Sequence, residues 1–482
     1  MRVLMLGWEF PPFIAGGLGV ACYGLTKALD KQGHQVIFVL PKPVDRRHAS
    51  HVRLLSPDVL RARAAAGAMS GGAMGGEVAG DEILDDEGQP LTGFQHATFR
   101  GVPASFSSPY PGGAPADFVR LSGAGAGFAG FGAAAGAVLE GSESIPELSS
   151  HSGGGAAAPP SGVLGVGAGH GYGMDLIGDS ERYARLVVAL TRREQFDVIH
   201  AHDWLTYPAG IALAHVTGKP LVVHVHSTEF DRSGNNVNQR VYDIERAGMH
   251  AADRVVAVSQ MTKSICVRRY GVRPDKVDVV YNGVEREAIQ PAAGAKIEST
   301  DKLVLFLGRI TMQKGPEYFI AAAKRVLEKV PNAKFVLAGS GDMALRMIEL
   351  AAGMGIGHRV LFTGFLRGKD VDRVYRMADC YVMPSVSEPF GIAALEAISH
   401  DVPVILSKTS GASEVLSHVL KVDFWDIDEM ANKIVAVLKH PPLSQTLREH
   451  GSIEVHRLTW DGAAGKCVET YDAALAGRNG AR

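Results

Sequence analysis

The first apolar run of the chain, "RVLMLG" (2–7), places Val, Leu, Met and Leu side by side with no polar position among them. That is the pattern of a strand covered on both faces. A turn carrying Gly16, Gly17 and Gly19 follows, then apolar positions at helical spacing through Leu29, a stop at Gly33 and a second continuous run, "QVIFVL" (35–40). The opening is therefore strand–helix–strand. After Pro43 the pattern dissolves, and from about 46 to 175 stretches such as "AAAGAMSGGAMGG" and "SGGGAAAPP" keep no periodic apolar face. This region reads as an inserted segment of loop or disorder, with room for a strand or two in "FQHATFRGVPASF" (94–106).

Periodicity returns over 180–193, which predicts a helix with Ser180 as its cap. "DVIHAH", "PLVVHVH", "DRVVAVS" and "VDVVYNGV" (277–284) then read as strands, separated by helices over "TYPAGIALAHVTG" and around 236–250. A second series begins at Lys302: "LVLFLG", helix 315–330, "AKFVLAG", helix 342–353, "RVLFTG", helix 369–378, "CYVMPS", helix 392–399, "PVILS". Alternation of this kind implies parallel sheets with helices on both faces, and two series imply two doubly wound α/β domains. A ligand then belongs beyond the carboxyl ends of the strands, in the cleft between the domains.

The candidate chemistry sits where that rule puts it. In "SEPFGIAALE" (387–396), Pro389 disfavours helix at Glu388 and the apolar spacing starts at Ile392, so a helix begins near Gly391. Glu388 then lies in the preceding loop and Glu396 inside the helix. The N–H groups of Phe390, Gly391 and Ile392 at such a start suit a phosphate, and the flanking carboxylates suit hydroxyls. A sugar–phosphate–nucleoside fits. The same pattern also fits a Glu388 that only complements the helix dipole and a Glu396 on a solvated face. In "LFLGRITMQKG", Arg309 and Lys314 follow a strand, framed by Gly308 and Gly315. A guanidinium fork and a compact ammonium there would stabilise a leaving diphosphate, against the plainer reading of two surface cations.

"HVHSTEF" carries His224 and His226, expected to face opposite sides of the sheet unless His226 already lies in the turn, and "AHDW" offers Asp203 as a hydroxyl acceptor or a helix cap. "HAHDW" could add ligands to a metal site, but no HExxH-like spacing appears and no metal is expected. The turn "AGGLG" is a poor dinucleotide fingerprint, since Cys22 stands at the third glycine position and no acidic residue ends the second strand. Gly16 and Gly17 still allow close backbone approach to a phosphate.

The 482 residues, 46% hydrophobic and 21% charged, suit a globular protein, and a formal charge of -2 gives no reason to expect nucleic acid. Cys22, Cys266, Cys380 and Cys467 form no CxxC pair, as in a reduced cytoplasmic protein. No apolar run approaches a membrane span, and the apolar stretch before "WEFPP" is too short for the core of a signal sequence.

"WEFPPFIAGGLG", "HAHDW", "VHVH", "YNGV", "GRITMQKG", "AGSGD" and "SEPFGIAALEA" together resemble the retaining GT-B glycosyltransferases, group 1, in particular glycogen and starch synthases. The resemblance spans nearly the whole chain outside 46–175. It implies a GT-B fold: an acceptor-side domain over 1–285, a nucleotide-sugar-binding domain over 286–458, and a helix over 459–482 packing back on the first. It also implies roles. Glu388 would hold donor-sugar hydroxyls and Glu396 the ribose. Arg309 and Lys314 would neutralise the diphosphate, helped by the N–H groups of Phe390, Gly391 and Ile392 and by the loop of Gly16 and Gly17. His226 would lie by the reacting carbon, and Asp203 matches the family's His-Asp-Trp aspartate. The implied activity is retaining, metal-independent hexosyl transfer, with no cofactor beyond a UDP- or ADP-sugar co-substrate. The acceptor is a carbohydrate, most simply an α-1,4-glucan. The alternatives are a lipid or exopolysaccharide precursor as acceptor, or a non-catalytic nucleotide-sugar binder. The near-neutral charge speaks against membrane association. One departure stands out: Ile14 occupies the place of the lysine in the "KxGGL" of many bacterial synthases, so their ADP-glucose preference does not carry over directly.

Overall fold

The computed structural model describes residues 1–10, 16–41, 97–101, 176–285 and 301–479. Two sheets organise them. The first has seven strands: β1 (Arg2–Leu6), β2 (Gln35–Leu40), β3 (Ala97–Gly101), β4 (Val198–His202), β5 (Leu221–Val225), β6 (Arg254–Ala257) and β7 (Val277–Val279). Their spatial order is β3-β2-β1-β4-β5-β6-β7 and every pairing is parallel. The second has six: β8 (Lys302–Leu307), β9 (Ala333–Ala338), β10 (Val360–Gly364), β11 (Cys380–Met383), β12 (Val404–Ser407) and β13 (Leu420–Val422). They run β10-β9-β8-β11-β12-β13, again all parallel.

The unbroken apolar runs have the expected physical cause. Along β1, Val3 and Met5 enter one core and Leu4 and Leu6 the other, all fully buried. Residues two apart share a face of a strand, so covering both faces requires apolar residues at every position. The first of these cores includes Trp460, Ala463, Ala464, Cys467 and Tyr471 from the helix Trp460–Asn479. That last helix lies against the helix Gly17–Lys31 and is tied down by Lys31–Asp461 and Arg478–Asp253 ion pairs.

Several local expectations are corrected. The helix expected from 180 begins earlier, at Leu176–Thr191, so Ser180 is inside it and not its cap; its hydroxyl donates to Leu205 O at 2.8 Å. The helix expected around 236–250 is Gln239–Ala251, capped by Asn238; a short helix not expected from the sequence, Glu229–Ser233 capped by Thr228, precedes it. The strand allowed for in 94–106 is β3, which pairs with β2 at the sheet edge. The rest of the segment read as an insertion lies outside the described residues. All four cysteines are buried and unpaired, and no helix among the described residues is long and apolar enough to cross a membrane.

Candidate active site

Where strand order reverses in an open parallel sheet, the loops at the carboxyl ends diverge and leave a crevice. The reversal falls between β1 and β4 in the first sheet and between β8 and β11 in the second. Gly16 and Gly17 follow β1, Asp203 follows β4, Arg309 and Lys314 follow β8, and Glu388 follows β11; His226 follows β5, one strand over.

In the second sheet, the turn Met312–Lys314 after β8 ends at Gly315, whose φ is +64°. A Cβ there would lie 2.3 Å from Pro384 O, so the missing side chain lets the turn lie against the loop after β11. Hydrogen bonds join the two. Val386 N–H donates to Gln313 O at 2.9 Å, and the Gln313 amide donates to Ser387 O at 3.1 Å while accepting from Arg309 Nη2 at 3.1 Å. The Lys314 ammonium is in close ion-pair contact with Glu388 Oε2, which also accepts from the Ser385 hydroxyl at 3.0 Å. Glu388 is buried, and a buried carboxylate persists only with partners of this kind.

Gly391, at φ +106°, caps the helix Ile392–Ser399, as the sequence predicts. In the first turn the Ala394 N–H bonds back to Gly391 O at 3.0 Å, and the N–H groups before it have no acceptor within the helix. Phe390 is buried with its ring 5.9 Å from that of Tyr281. Glu396 sits in the second helical turn, half-buried. Burial pushes its carboxyl pKa up, opposed by the Tyr375 hydroxyl 3.2 Å from Oε2. The two glutamates thus have separate partners.

In the first sheet, Asp203 adopts φ +58°, uncommon for a residue with a side chain. Its carboxylate accepts from the N–H groups of His226 at 2.7 Å and Ser227 at 3.3 Å, binding the ends of β4 and β5 together. Burial raises its pKa to about 7, against the pull of Arg232 and those N–H groups. It does not cap the following helix, whose cap position is Thr206.

The histidines overturn one expectation. His224 and His226 are two residues apart and therefore share a face; their rings stack with centroids 4.1 Å apart. Across the β4–β5 pairing stand His200 and His202, also stacked, at 4.2 Å. His200 Nε2 meets His224 Nδ1 at 3.2 Å, His202 Nδ1 meets His226 Nε2 at 2.9 Å, and Tyr471 OH closes the row at 2.6 Å from His200 Nδ1. Burial lowers all four pKa values, those of His200 and His226 to about 3, so the rings are neutral. His200, His202 and His224 bring ring nitrogens within 4.8 Å of one another, the one group of metal-ligand spacing among the described residues. Their ring planes lie 7° to 30° apart, and His200 Nε2 and His224 Nδ1 already face each other at hydrogen-bond distance.

Among the contacts that join the two regions, the Ser387 hydroxyl donates to Asp231 Oδ1 at 2.6 Å, and Asp231 is itself held by the capping box with Thr228. Gln313, Ser387 and Asp231 were not singled out from the sequence, and His202 entered only within "HAHDW". Gln313 had a signal, standing between the two cations in "RITMQKG". Asp231 and Ser387 have none, since their meeting is a tertiary event across 156 residues.

Two doubly wound parallel sheets with polar loops at both switch points define the GT-B architecture of glycosyltransferases. Comparison with known proteins agrees. The family profile "Glycosyl transferases group 1" matches residues 291–453, "Glycosyltransferase Family 4" matches 150–288, and "Starch synthase catalytic domain" matches 2–83. An uncharacterized glycosyltransferase of Methanocaldococcus jannaschii is 33% identical over 300 residues, covering 58% of this chain and 76% of that relative. A D-inositol 3-phosphate glycosyltransferase of Segniliparus rotundus is 28% identical, covering 58% and 67%, and a glycogen synthase of Mycobacterium tuberculosis is 29% identical, covering 58% and 70%. Among solved structures, sucrose-phosphate synthase from Thermosynechococcus elongatus superimposes with a TM-score of 0.67 at 18% identity over 99% of this chain and 100% of that one. The chain belongs to the group 1 glycosyl transferases.

Proposed function

We propose that the protein transfers a hexose, most simply glucose, from a nucleoside diphosphate sugar to an α-1,4-glucan, with retention of anomeric configuration and without a metal ion. The observation that carries this reading is the cluster Arg309–Gln313–Lys314–Glu388 at the β8/β11 switch point, beside the start of the helix Ile392–Ser399. Arg309 and Lys314 hold the diphosphate and the first-turn N–H groups share its charge. Both recorded partners of Glu388 bind Oε2, so Oε1 is the oxygen offered to a sugar hydroxyl. Glu396 takes the ribose, its neighbour Tyr375 fixing the carboxylate's direction.

As the bond from the anomeric carbon to the diphosphate oxygen breaks, negative charge grows on that oxygen and the two cations stabilise it. The attacking hydroxyl passes its proton to the same oxygen from the face it attacks, which gives retention. In this division of labour the second sheet binds the donor, while the first sheet, with the helix Trp460–Asn479, serves the acceptor. His226 and Asp203 stand on the acceptor side, near the reacting carbon. The glycogen synthase relative and the starch synthase profile support a glucan acceptor. The D-inositol 3-phosphate relative supports a second reading, a small phosphorylated polyol.

The test is to supply UDP-glucose, ADP-glucose and GDP-mannose with glycogen, with inositol 3-phosphate or with neither, and to follow nucleotide release and the anomeric configuration of the product. Glycogen-dependent release from a glucose donor, an α-linked product and indifference to EDTA are expected. A β-linked product or loss of activity in EDTA contradicts the mechanism, and release that requires inositol 3-phosphate replaces the acceptor.

A further inference from the structure

The four histidines use their hydrogen-bonding capacity unevenly. His202 Nδ1 is 2.9 Å from His226 Nε2, whereas His202 Nε2 is fully enclosed and has no partner. A neutral imidazole has one N–H and one lone pair, so only two arrangements satisfy the short contact. In one, His226 Nε2–H donates to His202 Nδ1; the proton of His202 must then sit on Nε2, a buried N–H with nothing to accept it. In the other, His202 Nδ1–H donates to His226 Nε2, and the enclosed Nε2 of His202 is a bare lone pair. Orphaned buried N–H groups are the rarer and costlier defect. The second arrangement is therefore preferred, and it puts the proton of His226 on Nδ1.

The layer above obeys the same rule. His224 Nε2 is also enclosed without a partner, so His224 donates from Nδ1 to His200 Nε2, and His200 in turn donates from Nδ1 to the Tyr471 oxygen. The layers stack at 4.1 and 4.2 Å, which holds the rings of His202 and His226 in the planes their hydrogen bond needs. Burial keeps all of them neutral, so tautomer and not charge is what the array controls. His226 is half-buried, unlike the other three, and Nδ1 is the ring nitrogen its bond to His202 leaves over.

We infer that His202 is a positioning residue that fixes His226 as its Nδ1–H tautomer, so that His226 meets an oxygen of the bound hexose as a hydrogen-bond donor and never as an acceptor. The part of this that concerns the hexose rests on the role proposed above for His226; the tautomer does not.

The decisive experiment is a long-range nitrogen–proton correlation spectrum of the intact chain labelled with 15N-histidine, the His226 signals being identified by their disappearance in His226→Asn. A protonated Nδ1 and a bare Nε2 are expected at His226, and the reverse pattern overturns the inference. Kinetics supply the second arm. Asn places an amide N–H where His202 Nδ1–H lies, so His202→Asn should retain kcat within about threefold, while His202→Leu should lose about tenfold in kcat with little change in the KM for the nucleotide sugar, the size of one net hydrogen bond. Equal loss in both variants makes His202 a packing residue and overturns its positioning role. If His202→Leu does not fold, the wild-type spectrum still decides the tautomer. Unchanged turnover in His226→Ala removes the donor role and the proposed place of His226 in the reaction, and leaves the spectral result standing.

Discussion

At the scale of single residues, the buried pair of Lys314 and Glu388 separates a catalytic contribution from a structural one. Removing either Arg309 or Lys314 should lower kcat by roughly 10²–10³, the usual effect of losing one preorganised charge-stabilising group. The two differ in stability. Lys314→Ala strands a buried carboxylate and should lower the melting temperature clearly, whereas Arg309→Ala should not; adding Glu388→Gln to Lys314→Ala should restore much of the loss. Thermal melts of the three variants check this, and identical melts would mean that the ion pair contributes nothing. The carboxylates should divide in kinetics. Glu396→Gln should act on nucleotide affinity, weakening free nucleoside diphosphate about tenfold as one charged hydrogen bond implies, while Glu388→Gln should depress kcat and leave that affinity in place. Titrating the free nucleotide into both variants tests the division, and equal losses would put both groups on the same end of the donor.

At the scale of elements, the site depends on backbone approaches that only glycine permits. Gly315→Ala sets a Cβ against Pro384 O in a backbone conformation that L-residues rarely adopt, so it should destabilise the fold by about 1–3 kcal/mol and weaken nucleotide binding by displacing Lys314. Urea unfolding measures the first effect and nucleotide titration the second; a wild-type midpoint would show that the turn does not lie against the loop after β11. This level was the most legible in the sequence. Strands buried on both faces announce themselves as unbroken apolar runs, and the pairing of Pro389 and Gly391 located the start of the helix Ile392–Ser399 to the residue. Helix starts without such punctuation were read less well. Ser180 looks like a cap in sequence, but the turn before it, from Leu176, is stabilised by packing of Leu176 into the core, which local pattern does not report. For His224 and His226 the two-residue period of a strand itself implies a shared face, and the stacked rings follow it. Nothing local signals that β4 lies beside β5 with His200 and His202 opposite that pair, because the neighbours meet only through sheet topology.

At the scale of the whole molecule, burying four neutral histidines couples the fold to pH. Each folded-state pKa lies below the ordinary 6.5, at about 3 for His200 and His226, so between those values the unfolded chain binds protons that the folded one does not. Stability is then fully present above 6.5 and is lost as pH falls towards 3. Asp203 works in the opposite sense: raised from 3.8 to about 7, it gives the folded state the extra proton in that window and gains stability as pH falls. Glu245 and Glu396, whose pKa values burial also raises, act in the same sense as Asp203, so three carboxyls oppose four histidines; the urea midpoint should drop from pH 7 to pH 5, and His224→Gln should flatten the slope. A midpoint that rises on acidification would mean that the array is charged or open to water.

The central claim is that Arg309 and Lys314 form the diphosphate site at the β8/β11 switch point, and calorimetric titration of UDP and ADP into the wild-type chain, Arg309→Ala and Lys314→Ala tests it most directly. One of the two nucleotides should bind the wild type at a single site, and each variant should lose at least about tenfold in affinity, as expected for removing a charge-assisted hydrogen bond to phosphate. Wild-type affinity in both variants would contradict it.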